Sequence, residues 1–151
     1  MGSDLRQTAY CGLFCGDCIP SNEALFDAVD ELGRRLAELP VTRYAGLKAI
    51  KNPAFEDFPT FVGVLDEMRK IRCGKPCREG GGHTDCPVRD CAREKKYLGC
   101  WECDRRGECD LLAPLKEFHG AVIERNLEVI KRCGPDDWSA RRGSHYPWDN
   151  E

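Results

Sequence analysis

The sequence predicts a mainly α fold: a small helical domain with irregular, cysteine-rich metal-binding loops and little or no β structure. Three observations carry that expectation. Apolar residues recur at spacings of three and four in several segments, the period of an amphipathic helix. No stretch of useful length alternates apolar and polar residues as a half-buried strand does. Ten of the eleven cysteines fall into two close-spaced clusters, Cys11-x3-Cys15-x2-Cys18 and Cys73-x3-Cys77-x8-Cys86-x4-Cys91-x8-Cys100-x2-Cys103-x5-Cys109.

The elements follow in order. Residues 4–20 read as an irregular Cys/Gly segment ending at Pro20. Ser21 then caps a helix on which Leu25, Val29, Leu32, Leu36 and Leu39 form one stripe, with Asp27, Asp30, Glu31, Arg34 and Arg35 facing water. Pro40 stops it. A short helix over Thr42–Ile50 turns Tyr44, Leu47 and Ile50 inward. Asn52-Pro53 and Pro59 mark turns, and Thr60 caps a third helix burying Phe61, Leu65, Met68 and Ile71. Residues 72–110 hold few branched apolar residues and cannot build a hydrophobic core of their own, so something else must order them. Within them Gly80–Gly82 is a flexible loop, and Pro87–Leu98 reads as a short helix ended by Gly99. Asp110 and Pro114 open a long final helix reaching Lys131, with Leu115, Phe118, Val122, Val129 and Ile130 inward and Ile123 and Leu127 widening the stripe. Gly134-Pro135 ends it, and Trp138 packs against the helices. The chain therefore reads as one domain over residues 4–138, followed by a loose tail over 139–151.

Composition narrows the function classes. Basic and acidic residues number 23 and 26, a net charge of −3. That balance gives no global attraction to nucleic acid or to an anionic membrane. No run of about 18 apolar residues predicts a membrane span, and the polar stretch Met1–Tyr10 is unlike a secretory signal. A cytoplasmic location is the expectation, and there a glutathione pool keeps thiols reduced. An odd number of cysteines also fits a disulfide framework poorly, so metal thiolates are the better reading.

Zinc takes four ligands in a tetrahedron, and a short turn between two cysteines brings both sulfurs to one ion. Cys15-x2-Cys18 and Cys100-x2-Cys103 have the commonest such spacing, and Cys11-x3-Cys15 and Cys73-x3-Cys77 lie in the usual range. The candidate ligands are Cys11, Cys15, Cys18, Cys73, Cys77, Cys86, Cys91, Cys100, Cys103 and Cys109, enough for one or two zinc ions. Three thiols in the first loop cannot close a four-cysteine site alone, so the two clusters must meet. Residues 69–106 carry eleven Lys/Arg against six Asp/Glu, an excess that offsets anionic thiolate sites. The same stretch lacks the interleaved aromatics that stack bases, which argues against nucleic acid. An iron–sulfur cluster is the rival cofactor. Cys11-x3-Cys15-x2-Cys18 has the spacing of the radical S-adenosylmethionine loop, but the repeated strand–helix units of those enzymes are missing. His83 is a candidate substitute ligand, although a loop histidine without that role is the plainer reading. Gly80–Gly82 lacks the Lys-Ser/Thr of a phosphate-binding loop, and Cys133 reads as a small apolar residue. No catalytic arrangement is recognisable, so the reading leans away from an enzyme. A metal-organised binding or adaptor module, its partner unknown but open to being a protein, comes first, an iron–sulfur redox or electron-transfer protein second, and a metal- or thiol-dependent enzyme third.

Tyr10-Cys-Gly-Leu-Phe-Cys-Gly-Asp-Cys18, Cys86-Pro-Val-Arg-Asp-Cys-Ala-Arg-Glu-Lys95, Gly99-Cys-Trp-Glu-Cys103 and Cys109 together resemble a family of small cysteine-rich bacterial and archaeal proteins known as domain of unknown function 3795. The resemblance runs from about Tyr10 to Trp138. It implies a cytosolic, zinc-binding protein with no activity to carry over. It also matches Cys11, Cys15, Cys18, Cys91, Cys100, Cys103 and Cys109 to the family's recurring cysteines. The pair Cys73-x3-Cys77 departs from the x2 spacing the family suggests.

Overall fold

Residues 3–143 and 146–149 are described by a computed structural model. Among them run seven α-helices in the order α1 (Ser3–Gln7), α2 (Glu23–Glu38), α3 (Val41–Ala49), α4 (Phe58–Lys70), α5 (Pro87–Glu94), α6 (Ala113–His119) and α7 (Val122–Cys133). Single 3-10 turns fill several of the gaps. No strand is present among the described residues, only an isolated antiparallel bridge between Thr8 and Phe14. The mainly α expectation therefore holds. No described helix is long and apolar enough to cross a membrane. The chain forms two compact units: unit 1 comprises Met1–Cys18 and Lys75–Glu151, and unit 2 comprises Ile19–Gly74.

Unit 2 contains α2, α3 and α4. The Asn22 side chain, rather than Ser21, caps α2 by accepting a hydrogen bond from the Leu25 amide at 3.0 Å. The buried face of α2 carries Val29, as the stripe predicts, and Phe26, which lies outside it, while Leu32 and Leu39 stay exposed. Gly33 continues the Phe26–Val29 line, and a Cβ there would meet the Arg69 guanidinium of α4 at 1.8 Å. A smaller residue thus sits where the arginine crosses. In α3 the expected inward residues Tyr44, Leu47 and Ile50 are exposed, and Ala45 is the buried one. A helix of nine residues lends its neighbours little more than one position per turn, and a small side chain allows the closest approach. Helix α4 starts at Phe58, two residues before the predicted Thr60 cap, because Pro59 fits the first turn. Leu65 is buried as expected, whereas Phe61 and Ile71 are exposed.

Unit 1 holds the main hydrophobic core, in which Leu5, Ala9, Val88, Trp101, Leu112, Val122, Ile123, Leu127, Ile130, Trp138 and Tyr146 come together. The short helix α1 was not legible in the sequence. It matters because Thr8, fully buried just after it, donates its hydroxyl to the Asp4 carbonyl and accepts the Trp138 indole N–H at 2.8 Å. The predicted single final helix is in fact α6 and α7, divided at Gly120, which adopts φ 61°. An L side chain rarely takes that conformation, so the break is built into the sequence. Phe118, expected inward on a continuous helix, is consequently exposed. On α7 the buried Asn126 donates to the Gly12 carbonyl at 2.9 Å. Trp138 meets Phe14 edge to face, with ring centroids 5.6 Å apart. Beyond Trp138, the Arg142 guanidinium pairs with both carboxylate oxygens of Asp17 and lies 4.5 Å from the Phe14 ring centroid. Tyr146 is buried. Of the predicted tail, residues 144, 145, 150 and 151 lie outside the described residues.

Candidate metal centre

Four of the predicted ligands, Cys91, Cys100, Cys103 and Cys109, are among the residues that line one open cleft of about 260 Å³ in unit 1. Three local structures deliver them. Cys91 sits on α5, whose start is fixed by Pro87 in its first turn. Cys100 opens a 3-10 turn over Cys100–Glu102, and the Cys103 amide closes it on the Cys100 carbonyl at 3.1 Å. Such a tight turn is what the x2 spacing demands for two sulfurs to face one centre. Cys109 follows a second 3-10 turn, Arg106–Glu108. After α5 the chain turns sharply, with Lys96 at φ 58°, a position more often filled by glycine. The cavity walls include the apolar side chains of Val88, Ala92 and Leu112, all buried in the core. Three cationic residues, Lys95, Arg105 and Arg106, and two acidic ones, Glu108 and Asp110, also line it.

The electrostatics of the thiols record their crowding. Burial pushes the Cys100 thiol up to about 12, and the charges of Cys109, Cys103, Cys91 and Cys86 add to the effect. Burial likewise pushes Cys11 up to about 12; a backbone hydrogen bond at Leu13 opposes this, and Cys77, Cys100 and Cys86 reinforce it. Several thiolates gathered in a low-dielectric site repel one another unless a cation replaces their protons. The Cys91 thiolate, first by its charge and then by a hydrogen bond, raises the pKa of Lys95.

The N-terminal cluster meets the second one inside unit 1. The Cys100 amide donates to the Tyr10 carbonyl at 2.8 Å. Arg78 stitches the same region: it donates to the carbonyls of Thr8 at 2.7 Å and Leu98 at 2.6 Å. Its guanidinium lies over the Tyr10 ring at 4.6 Å and the Trp101 ring at 5.6 Å. Burial lowers its pKa, and the charges of Tyr10, Cys77 and Cys15 oppose the fall. Arg89, buried on α5, donates to the carbonyls of Gly81 and Thr84, fixing the loop that leads to Cys86. The sequence reading passed over both arginines as part of a basic stretch. A signal was available for Arg89, since a cation in the first turn of a helix opposes the dipole and needs another reason to be there.

The remaining candidates are placed as follows. Cys11, Cys77 and Cys86 pack in or against the unit 1 core, on the side of Cys100. Cys15 opens a 3-10 turn and Cys18 closes it, exposed. Cys73 lies in unit 2, its amide bonded to the Pro20 carbonyl at 2.8 Å. His83 is exposed, and it is not a wall of the cavity. Cys133 donates its thiol to the Val129 carbonyl at 3.0 Å within α7. Among the described residues no group of three or more His, Cys, Asp and Glu side chains is, as it stands, arranged to hold a metal ion.

A model of the family described as protein of unknown function (DUF3795) matches residues 7–114. The match spans all ten clustered cysteines and leaves out Cys133. No curated protein and no solved structure matches the chain.

Proposed function

The chain belongs to that family of proteins of unknown function, and from this premise we propose that it is a metal-binding protein whose cysteine thiolates hold the metal and whose metal organises unit 1. The observation that supports the reading is the convergence of Cys91, Cys100, Cys103 and Cys109 on one cavity. Four thiolates are a full donor set for a zinc ion and equally for an iron–sulfur cluster. The crowded, burial-raised thiols of Cys100 and Cys11 suit a site that exchanges protons for metal. Zinc is the simplest occupant, one ion or two, with the second drawing on Cys11, Cys77 and Cys86. The residues of this chain then act as ligands and as a charge-balanced frame, with Lys95 beside Cys91 and Arg78 beside Cys77. In this reading the centre stabilises a binding or adaptor module of the cytoplasm, and the protein's partner is another protein.

The test is elemental analysis of the anaerobically purified chain, followed by chelation and circular dichroism. Bound metal, and loss of helicity when it is stripped, is the expected result. A metal-free protein whose fold is indifferent to chelators would remove the reading.

A further inference from the structure

We propose that the outward face of α3 is a docking surface for an acidic, amphipathic segment of a partner protein. This rests on the adaptor reading above, which it deepens by giving the partner a surface and a chemistry, and it does not depend on what the cysteines hold. Ala45 is the buried residue of α3. Successive helical residues turn by about 100°, so Arg43, Leu47 and Ile50 fall on the side away from Ala45, with Tyr44 beside them. Tyr44 is 53% exposed, Leu47 64% and Ile50 81%. Residues three apart on a helix are surface neighbours, so Tyr44, Leu47 and Ile50 form one outward apolar stripe. A single exposed apolar side chain is ordinary, whereas a run of neighbours marks a binding surface.

Charge says what binds there. Unit 2 contains eight Lys and Arg residues, and five of them, Arg34, Arg35, Arg69, Lys70 and Arg72, pair with carboxylates. The other three are Arg43, Lys48 and Lys51, all exposed beside the apolar stripe. Among the described residues none of these three pairs with a carboxylate; Lys48 lies over the Tyr44 ring instead, 5.4 Å from its centroid. No Asp or Glu occurs between Glu38 and Glu56, so the segment carries no counter-charge of its own. An apolar stripe bordered by unpaired cations is complementary to a segment whose apolar residues are bordered by carboxylates. Other occupants fit less well. A second copy docked by a two-fold axis would set these cations against themselves. Unit 2 as a whole has nine Asp/Glu against eight Lys/Arg, so it gains nothing overall from an anionic lipid surface. Nucleic-acid phosphates would leave Leu47 and Ile50 without apolar contact.

The experiment titrates the full chain into a fluorescently labelled, helical, amphipathic peptide built of Glu, Leu and Ala, and follows anisotropy. Two further peptides replace every Glu by Gln or every Leu by Ser. Vesicles of phosphatidylserine and phosphatidylcholine are tested by co-sedimentation. The native chain should bind the Glu/Leu peptide, and both altered peptides should bind about tenfold more weakly or worse. Leu47→Ser and Lys48→Glu should each weaken binding about fivefold to tenfold. Both residues are exposed, and circular dichroism checks that the variants keep the native helicity. Arg125→Glu, an exposed charge reversal on α7, should change nothing. Equal binding of the Gln peptide, equal loss with Arg125→Glu, or sedimentation with vesicles in place of peptide binding would each overturn the proposal. A metal-loaded chain that ignores the peptide would overturn the α3 surface and leave the metal centre standing. A metal-free chain that binds it would remove the centre and keep the surface.

Discussion

Unit 2 and unit 1 are both helical, yet they are held together differently. In unit 2 few side chains are buried: Phe26 and Val29 on α2, Ala45 on α3 and Leu65 on α4. Much of its side-chain contact is ionic and exposed, as where Arg72 reaches Asp27 at 2.8 Å and Asp30 at 3.0 Å. In unit 1 the apolar core is larger, and the cysteines are part of it. Cys77, Cys86, Cys100 and Cys109 pack directly against the cluster that contains Trp101, Leu112 and Trp138. The thiols are therefore not an appendage on a finished fold.

The largest effect that would break this contrast is expected from Trp138→Ala. It removes a fully buried indole and takes from the Thr8 hydroxyl the donor it accepts from, leaving only its bond to the Asp4 carbonyl. A loss of about 3–5 kcal/mol is expected in urea denaturation, with faster amide exchange along α7; a loss below about 1 kcal/mol would mean that the two ends of unit 1 are held by something else. Phe26→Ala, the counterpart in unit 2, should cost about 3 kcal/mol at the low end of the same range, because its cavity lies in a thinner core that can collapse. Equal costs at the two sites would dissolve the contrast. Asn126→Ala comes next, at about 1–3 kcal/mol, since the Gly12 carbonyl loses its buried donor. Arg72→Ala should leave the unfolding curve where it is, because both of its ion pairs are open to solvent.

The smallest change expected to be measurable is one of pH. Burial lowers the pKa of His119 on α6 below its ordinary 6.5. A depressed folded pKa means that the unfolded chain takes up the proton first. The stability this group contributes is thus intact above pH 6.5 and is lost as pH falls through the lower folded value. Denaturation midpoints at pH 7.5 and 5.5 should differ more for the native chain than for His119→Gln. Identical differences would show that the imidazole is not the titrating group.

Helix content was legible in this sequence because periodicity reports it, and α2, α4, α5 and α7 lie close to where the apolar spacing puts them. Burial was less legible. The stripe Leu25–Leu39 suited a helix with one broad contact face, whereas in the structure Phe26 takes an inner position and Gly33 makes room for the Arg69 guanidinium. The division of the final helix was visible only as Gly120 within an otherwise continuous pattern, and glycine inside a helix is often tolerated. Of the candidate site, the closeness of Cys100 and Cys103 could be read from their x2 spacing. That Cys91 and Cys109 join this pair could not, because it depends on how α5 and the turn Arg106–Glu108 dock on the core. The structural arginines Arg78 and Arg89 were hidden for a related reason. Their partners are backbone carbonyls, which carry no mark in the sequence.

The interruption of unit 1 by unit 2 has a consequence for synthesis. Thr8 and Trp138 are hydrogen-bonded across 130 positions, so the N-terminal cysteines leave the ribosome well before the residues that enclose them. At ~5–20 residues per second the delay is on the order of ten seconds. Unit 2 lies wholly between those two points and contains only nearer contacts, so it can fold while the wait lasts. During that interval Cys11, Cys15 and Cys18 are borne on an unfinished chain.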